Sequence, residues 1–391
     1  MSASEKNREA GYGANAWRDA DARLRSFWER LSEGLQVSEL WRQFQSEARA
    51  GYGLYSREVD WENLEKKKKY RRGIEIARAL FWAMLMKLSP ARRVALLVAL
   101  GLLFVGTFQI DFSETFHVSF HWGPVGVAIL FLLLALELAD RVTMKRDLEI
   151  AREIQSWLMP SQPPQVEGVD IAFAARAANT VAGDYYDAFV RPAEAGGAGH
   201  GALMLAVADV AGKSVPAALL MATFQSSLHT LAAARMELIE LVHGLNGYSC
   251  AHSLGGARFT TAFLAEYDRS TRTLRYVNAG HNAPVLRRVN GTVERLDSQG
   301  LPLGIRSEES YEVRSAVLER HDVLVIFTDG VVEAFNAEHE EYGDARLRDL
   351  LDIVPGESAG EILRHLFADV DRFAGGTRQS DDMTCLILRM V

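Results

Sequence analysis

Cysteine is scarce in this sequence, and the little that is present forms no recognisable spacing. Only Cys250 and Cys385 occur among the 391 residues, far apart and without a CxxC pattern. This argues against a disulfide framework and against a cysteine-ligated metal site. It is also typical of a chain whose folded parts stay in the cytoplasm.

An N-terminal leader and an excess of positive charge are also lacking. Residues 1–13 are polar and have no apolar stretch behind basic residues, so no secretory signal peptide is predicted. The net charge of −8 argues against a nucleic-acid-binding protein. Hydrophobic residues make up 48% of the chain and charged residues 24%, which is the balance of a globular protein. A chain of this length predicts two or three modules.

Two long segments are almost free of charge, at residues 94–110 and 123–139, with Glu137 as the exception. As helices, each would span most of a hydrocarbon core of roughly 30 Å. The connection between them has no Lys or Arg, whereas the outer flanks carry several, such as Arg92 and Arg146. Because positive charge stays inside, we predict two transmembrane helices at 91–140. The protein would be a multi-pass protein of the inner (cytoplasmic) membrane with both termini in the cytoplasm. A buried helical hairpin in a soluble core is the alternative.

The regions on either side of these segments have helical patterns. Residues 1–90 predict a helical cytoplasmic module, and its basic run at 66–72 is either a solvated face or a contact with anionic membrane lipid. Residues 141–160 predict a linker helix whose narrow apolar stripe is typical of a parallel coiled coil, and hence of a homodimer. The stripe consists of Leu148, Ala151, Ile154 and Leu158. Pro160 ends this helix, so the last domain is predicted at 161–391.

Beyond residue 165 the pattern changes to short apolar runs bounded by turns. The predicted strands lie at 203–208, 261–267, 274–278, 285–289, 323–327 and 384–388. The predicted helices lie at 216–234, 238–252 and 360–373. Because strands and helices each cluster, the pattern indicates an α+β fold with packed sheets and helices outside.

Four aspartates lie at the ends of such runs or in the turns beside them. They are Asp184, Asp209, Asp329 and Asp381. A carboxylate at the end of a buried strand, as at Asp209 and Asp329, is unfavourable unless it is paired or bound to a metal ion. Each one alone could be a turn-forming residue. Together they predict a shared cation site.

The ligands of that site would be hard oxygen atoms. No cysteine or pair of histidines lies near these aspartates, which favours Mn²⁺ or Mg²⁺ over Zn²⁺. Several carboxylates can hold two such ions about 3.5–4 Å apart, a spacing that suits a bridging hydroxide and a phosphoryl group. Metal-activated water would then be the nucleophile, and no protein nucleophile would be needed.

Five segments resemble, in order, the successive motifs of the RsbU/SpoIIE branch of the PPM metal-dependent phosphatases. They are NTVAGDYYD at 179–187, ADVAGKSVPAA at 208–218, YVNAGHNAP at 276–284, FTDGVVEA at 327–334 and SDDMT at 380–384. The preceding LEIAREIQ and LMP segments, at 148–155 and 158–160, also resemble the linker helix of that family. The resemblance covers about residues 150–391 and implies a PPM-type β-sandwich flanked by helices.

The resemblance also implies roles for individual residues. The implied metal ligands are Asp184, Asp209 as the bridging residue, the backbone carbonyl of Val210, Asp329 and Asp381. Second-tier positions are Asp187, Asp382 and His281. The implied activity is that of a protein serine/threonine phosphatase with two Mn²⁺ or Mg²⁺ ions. Its substrate would be a phosphoserine or phosphothreonine on a STAS-type anti-sigma-factor antagonist, in a bacterial partner-switching pathway.

The sequence departs from the family pattern in places. Ala182 and Ser214 stand where the family often has Gly, which costs little unless the backbone needs a positive φ. No His follows Asp209, so the proton donor to the leaving oxygen is unassigned. His281 is the nearest candidate, and a structural role at the Asn-Ala-Gly turn is the alternative.

Two other functions stay open. A non-catalytic signalling scaffold could carry a phosphatase-like domain, although the retention of all four aspartates argues against it. A class III nucleotide cyclase also uses aspartates and a membrane-linked coiled coil, but its base-recognition residues cannot be placed in this sequence.

Overall fold

The computed structural model describes residues 81–391 except 83–84, 87, 106, 114–115, 192–200, 235, 254–257, 299 and 354–356, with backbone alone at 107–113 and 116–120. The predicted N-terminal module lies almost wholly outside these residues, and its basic run lies entirely outside them. The chain divides into two compact units, with the boundary between Ala139 and Asp140.

Between Pro90 and Ala139, the first unit has a helix, a strand hairpin and the first part of a second helix. α1 (Pro90–Val105) is followed by the antiparallel pair β1 (Thr107–Ser113) and β2 (Phe116–His121), and then by α2 (Gly123–Leu158). Glu137, the charged residue within the second apolar segment, forms an ion pair of 3.4 Å with Arg92 of α1.

The predicted transmembrane hairpin is wrong. α1 has 16 residues, roughly 24 Å at 1.5 Å per residue, which falls short of a hydrocarbon core of roughly 30 Å. Residues 107–110, which the first predicted span includes, belong to β1 instead. α2 has 36 residues, but its apolar part contains Glu137 and gives way to a charged segment at Asp140. Within the described residues, no helix combines the length and the apolar character needed to cross a membrane. The predicted multi-pass location in the inner membrane is corrected with it. The predicted lipid contact rests on the basic run at 66–72, which lies outside the described residues, and it stays a prediction.

Two five-stranded antiparallel sheets form the second unit. One has the strand order β10-β7-β6-β5-β4 and the other the order β3-β12-β11-β8-β9. In chain order the strands are β3 (Val169–Arg176), β4 (Tyr185–Val190), β5 (Leu203–Val210), β6 (Thr260–Asp268), β7 (Thr273–Ala279), β8 (Val285–Arg287), β9 (Val293–Arg295), β10 (Arg314–Val317), β11 (Val323–Phe327) and β12 (Met383–Met390).

Helices cover the outer face of each sheet. They are α3 (Val215–Ala233), α4 (Leu238–His252), the short α5 (Asp329–Val332), α6 (Gly343–Ile353) and α7 (Ala359–Ala374). Residues of α3 and α4 share a core with the first sheet, and residues of α6 and α7 share one with the second. The second unit is therefore an α+β sandwich of four layers.

The alternation of side chains along a strand produces these cores. In β5, Leu205 and Val207 lie in the cluster between the two sheets, whereas Met204 and Ala206 lie in the cluster with α3 and α4. Full burial of a Leu or Val side chain stabilises by roughly 1.5–3 kcal/mol. Strands buried on both faces explain the continuous apolar runs of the sequence, and they give a rigid frame for the loops at the ends of the sandwich.

All predicted strands and helices of this domain occur, with small shifts at their ends. The helix predicted at 238–252 coincides with α4, and the strand predicted at 323–327 coincides with β11. The sequence analysis does not predict the four edge strands β3, β4, β9 and β10, nor the helices α5 and α6. Of these strands, β9 and β10 have only three and four residues and little burial. The linker helix predicted at 141–160 is the last part of α2, which ends at Leu158 before Pro160.

Candidate active site

The strand pairings bring the four aspartates to two junctions of the sandwich. Asp184 directly precedes β4, and Asp209 is the penultimate residue of β5. Because Tyr185 pairs with Ala208, these two aspartates are close. Asp329 opens α5 just after β11, and Asp381 lies just before β12. Since β11 and β12 are antiparallel neighbours, these two also meet at one end of their sheet.

Two hydrogen bonds link the two junctions: Thr328, directly before Asp329, donates to Asp184 Oδ2, and Lys213, four residues after Asp209, donates to Asp381 Oδ2. Burial, together with the charges of Asp329, Asp381 and Asp382, raises the pKa of Asp209 to about 7. Burial and then the charge of Asp209 raise the pKa of Asp184. Burial and then the charge of Asp381 raise the pKa of Asp329. These acidic residues of four separate segments therefore lie near one another, and we call them the aspartate cluster (Asp184, Asp209, Asp329, Asp381 and Asp382).

Asp184 is held in place by the second sheet. Its side chain is only 3% exposed, and its Oδ2 accepts a hydrogen bond of 2.8 Å from Thr328 Oγ1. Thr328 Oγ1 in turn accepts one of 2.9 Å from the backbone N–H of Thr384. A threonine directly before Asp329 thus fixes an aspartate of the opposite sheet.

Asp382 organises the loop that leads to Asp184. Its Oδ1 accepts a hydrogen bond from the backbone N–H of Ala178, and its Oδ2 accepts one from that of Gly183, each at 2.7 Å. A Cβ at Gly330 would overlap the carbonyl oxygen of Asp382. The fourth motif therefore requires glycine after Asp329, because the backbone of Asp382 leaves no room for a side chain there.

The carbonyl of Val210 lies beside the same loop. A Cβ at Gly183 would come within 3.1 Å of that oxygen, a tight contact that glycine avoids. Val210 itself is buried at 1% exposure, so its side chain belongs to the core while its carbonyl approaches the Asp184 loop.

Lys213 is a site residue that the sequence does not predict. Its Nζ donates hydrogen bonds to Asp381 Oδ2 at 2.9 Å and to the carbonyl of Ser380 at 3.0 Å. This contact with Asp381 raises the pKa of Lys213, so its ammonium group stays charged beside the cluster. Its place in the ADVAGKSVPAA motif, four residues after Asp209, is the one signal that could have pointed to it.

Two second-tier residues have other partners. Asp187 Oδ2 accepts a hydrogen bond from the hydroxyl of Tyr185 and lies 2.7 Å from Nε2 of His229. Asp187 is not among the residues that raise the pKa of Asp184, Asp209 or Asp329. The structure therefore brings Asp382, but not Asp187, into the aspartate cluster.

The contacts of His281 are those of a structural residue. Its backbone N–H donates to Asn278 Oδ1 at 2.8 Å, and its Nδ1 lies 3.0 Å from Thr261 Oγ1. Burial lowers the pKa of His281 to about 4, so the ring is neutral at pH 7. A neutral, buried imidazole is a poor proton donor.

The cluster fits divalent cations by its chemistry. Within the described parts of the chain, no group of three or more His, Cys, Asp or Glu side chains has the spacing needed to hold a metal ion. The carboxylates are nevertheless close enough to raise one another's pKa, and they offer only hard oxygen donors. A divalent cation would offset the charge that burial makes unfavourable here.

The second unit is similar to known proteins in sequence and in fold. The family model described as Stage II sporulation protein E (SpoIIE) matches residues 199–391. Phosphoserine phosphatase RsbU of Bacillus subtilis is 28% identical over 247 residues, which cover 63% of this chain and 70% of RsbU. Protein IcfG of Synechocystis is 27% identical over 281 residues, 65% of this chain and 43% of IcfG. The SiaA-PP2C domain of Pseudomonas aeruginosa matches in structure with a TM-score of 0.55 and 19% identity, over 65% of this chain and 99% of that domain. At that identity the structural match shows the fold alone.

The family model and the match to RsbU identify the C-terminal domain as a SpoIIE/PP2C-family domain. Within that class, the C-terminal domain belongs to the RsbU/SpoIIE branch, and the resemblance seen in the five motifs is confirmed. The domain is a protein serine/threonine phosphatase domain.

Proposed function

We propose that this chain hydrolyses phosphoserine or phosphothreonine on a protein, with two Mn²⁺ or Mg²⁺ ions held by the aspartate cluster. The ligands would be Asp184, Asp209 between the two ions, the carbonyl of Val210, Asp329 and Asp381. The observation that supports the proposal is the pair of hydrogen bonds from Thr328 to Asp184 and from Lys213 to Asp381, because they link the ends of the two sheets at the aspartate cluster.

The chain's own residues would each have a defined part in this reaction. When bound, the ions supply Lewis-acid chemistry and lower the pKa of water. Thr328 keeps the Asp184 carboxylate in a fixed orientation through its 2.8 Å hydrogen bond. Lys213, with a side chain 57% exposed, can be reached from solvent and offers a cation to an arriving phosphate. Asp382 holds the Asp184 loop rather than the substrate.

The proposed substrate is a phosphorylated STAS-type anti-sigma-factor antagonist in a partner-switching pathway. The support is the family: RsbU, the relative matched over 63% of this chain, is a phosphoserine phosphatase. A homodimer through the linker is part of the proposal. Ile150, Ile154 and Trp157 are exposed on one side of α2 at steps of four and three, which fits a second copy of the helix.

The test is dephosphorylation of a phosphorylated STAS-domain protein with and without Mn²⁺. Wild-type protein should release phosphate only with Mn²⁺. Asp329→Asn should lose about 100-fold or more of the rate, since several kcal/mol of metal-based stabilisation are removed. Asp349→Asn, an exposed aspartate of α6, is the matched control and should keep the wild-type rate.

The non-catalytic scaffold makes the opposite prediction. It would bind the phosphoprotein and release no phosphate at any Mn²⁺ concentration. Equal rates for wild type and Asp329→Asn would also contradict the proposed metal site.

A further inference from the structure

The last turns of α2 contact the backbone of the Asp184 loop through one side chain. Gln155 Nε2 donates a hydrogen bond of 2.7 Å to the carbonyl of Ala182, and the N–H of Ala182 donates one of 3.1 Å to Gln155 Oε1. Both polar backbone groups of Ala182 are therefore satisfied by one amide. β4 begins only at Tyr185, so Ala182 lies outside the strand ladder that could otherwise hold it.

Ala182 is placed where a small shift would matter. It is two residues before Asp184, and the next residue, Gly183, donates its N–H to Asp382 Oδ2 at 2.7 Å. The loop is thus held from one side by Asp382 of the aspartate cluster and from the other side by Gln155. Losing one of the two contacts leaves Asp184 attached through Thr328 and the remaining contact.

The position of Gln155 is itself fixed by packing. Leu148, Ala151 and Leu158 share its face of α2 at steps of three, four and three, and all four residues are half-buried. Met159, just after the helix, packs against the core formed by the first sheet with α3 and α4. The amide therefore reaches Ala182 from an anchored helix end.

The chemistry of this contact selects glutamine. A side-chain amide carries a donor and an acceptor on the same carbon, an arrangement that matches a backbone N–H and C=O pair. A glutamate at this position would keep the acceptor but would oppose the carbonyl of Ala182 with a second oxygen.

We propose that Gln155 is a positioning residue for the metal centre, which acts by holding the Ala182 backbone so that Asp184 faces the other ligands. This rests on the proposed function. Residues that orient metal ligands through hydrogen bonds typically contribute about 10- to 100-fold to metal affinity or activity.

The test compares Gln155→Ala with Glu153→Ala, an exposed residue of the same helix, in the full chain. Gln155→Ala should weaken Mn²⁺ binding, measured by calorimetry, by about 10-fold or more, and should lower kcat on a generic phosphate ester to a similar degree. KM at saturating Mn²⁺ should stay within about twofold, since no substrate contact is removed. Glu153→Ala should match wild type in all three quantities.

Gln155→Glu keeps the length and the acceptor but places a charged oxygen against the carbonyl of Ala182. It should therefore weaken Mn²⁺ binding at least as much as Gln155→Ala. Wild-type Mn²⁺ affinity and kcat in Gln155→Ala would overturn the proposal, and so would equal losses in Glu153→Ala.

Hydrogen exchange separates this proposal from the proposed function. The amides of the peptide 178–186 should exchange faster in Gln155→Ala than in Glu153→Ala, whatever the enzyme does. If wild-type protein neither bound Mn²⁺ nor released phosphate, the proposed function would fall, and unchanged exchange would then overturn the contact as well.

Discussion

At the scale of single residues, the backbone of Ser214 is strained next to the aspartate cluster. Ser214 caps α3 with φ 65° and ψ −148°, a region that is essentially restricted to glycine and costs about 1–3 kcal/mol for other residues. Its side chain is exposed and makes no capping hydrogen bond, so nothing offsets the strain. Ser214→Gly should therefore raise the free energy of unfolding by about 1 kcal/mol, measured by urea denaturation.

The control for this change is the same substitution within the helix that follows. Ser226 is exposed in the interior of α3, where glycine is unfavourable by roughly 0.5–1 kcal/mol relative to good helix formers. Ser226→Gly should destabilise the protein, opposite in sign to Ser214→Gly. Destabilisation by both changes would show that the strain at Ser214 is not real.

The sequence predicts the site residues that lie at the ends of buried strands. It does not predict those whose hydrogen-bond partners are distant along the chain. Asp209 and Asp329 are recognisable because a carboxylate ending an apolar run needs a partner. Lys213 and Gln155 are not, because their partners lie 168 and 27 residues away along the chain. The strain at Ser214 is missed for a different reason. A positive φ arises only in the folded loop, so it cannot be predicted from the residue type.

At the scale of elements, apolar content predicts burial better than it predicts the kind of element. The strand runs of the sandwich are found because buried strands are continuously apolar. The same reasoning places residues 107–110 in a membrane helix, whereas they form β1 of a hairpin. Periodicity would have been the better guide, since FQIDF at 108–112 alternates in polarity as a strand does.

The predicted apolar stripe of the linker helix separates into two sides in the structure. Leu148 is half-buried, whereas Ile154 is 48% exposed. Leu148→Asp should lower the free energy of unfolding by about 1–3 kcal/mol, because it places a charge at a partly buried position. Ile154→Asp should change it by less than about 0.5 kcal/mol.

Ile154→Asp should act on assembly instead. If the exposed side of α2 pairs with a second copy, this variant should sediment as a monomer, and its phosphatase rate should differ from wild type with unchanged Mn²⁺ affinity. An Ile154→Asp protein with the oligomeric state of wild type would contradict the proposed dimer.

At the scale of the whole molecule, the aspartate cluster links stability to pH and to metal. The pKa of Asp209 is raised to about 7 by burial and neighbouring carboxylates, and those of Asp184, Asp329 and Asp382 are raised as well. Between the unfolded value of 3.8 and about 7, the folded state therefore holds more protons than the unfolded state. By linkage, the free energy of unfolding of the metal-free protein falls as pH rises through this range.

The prediction is a difference between wild type and Asp209→Asn in the presence of a chelator. His281 gives the opposite slope between about 4 and 6.5, since burial lowers its pKa, but it is common to both proteins and cancels. Wild type should lose stability relative to Asp209→Asn as pH rises from 5 to about 7, measured by thermal unfolding at closely spaced pH values. Mn²⁺ at the proposed site would bind the ionised carboxylates, so adding it should raise the wild-type midpoint most at the upper end of the range and barely affect Asp209→Asn. Parallel pH profiles for the two proteins would mean that Asp209 is not buried among other carboxylates, and the electrostatic basis of the metal centre would be lost.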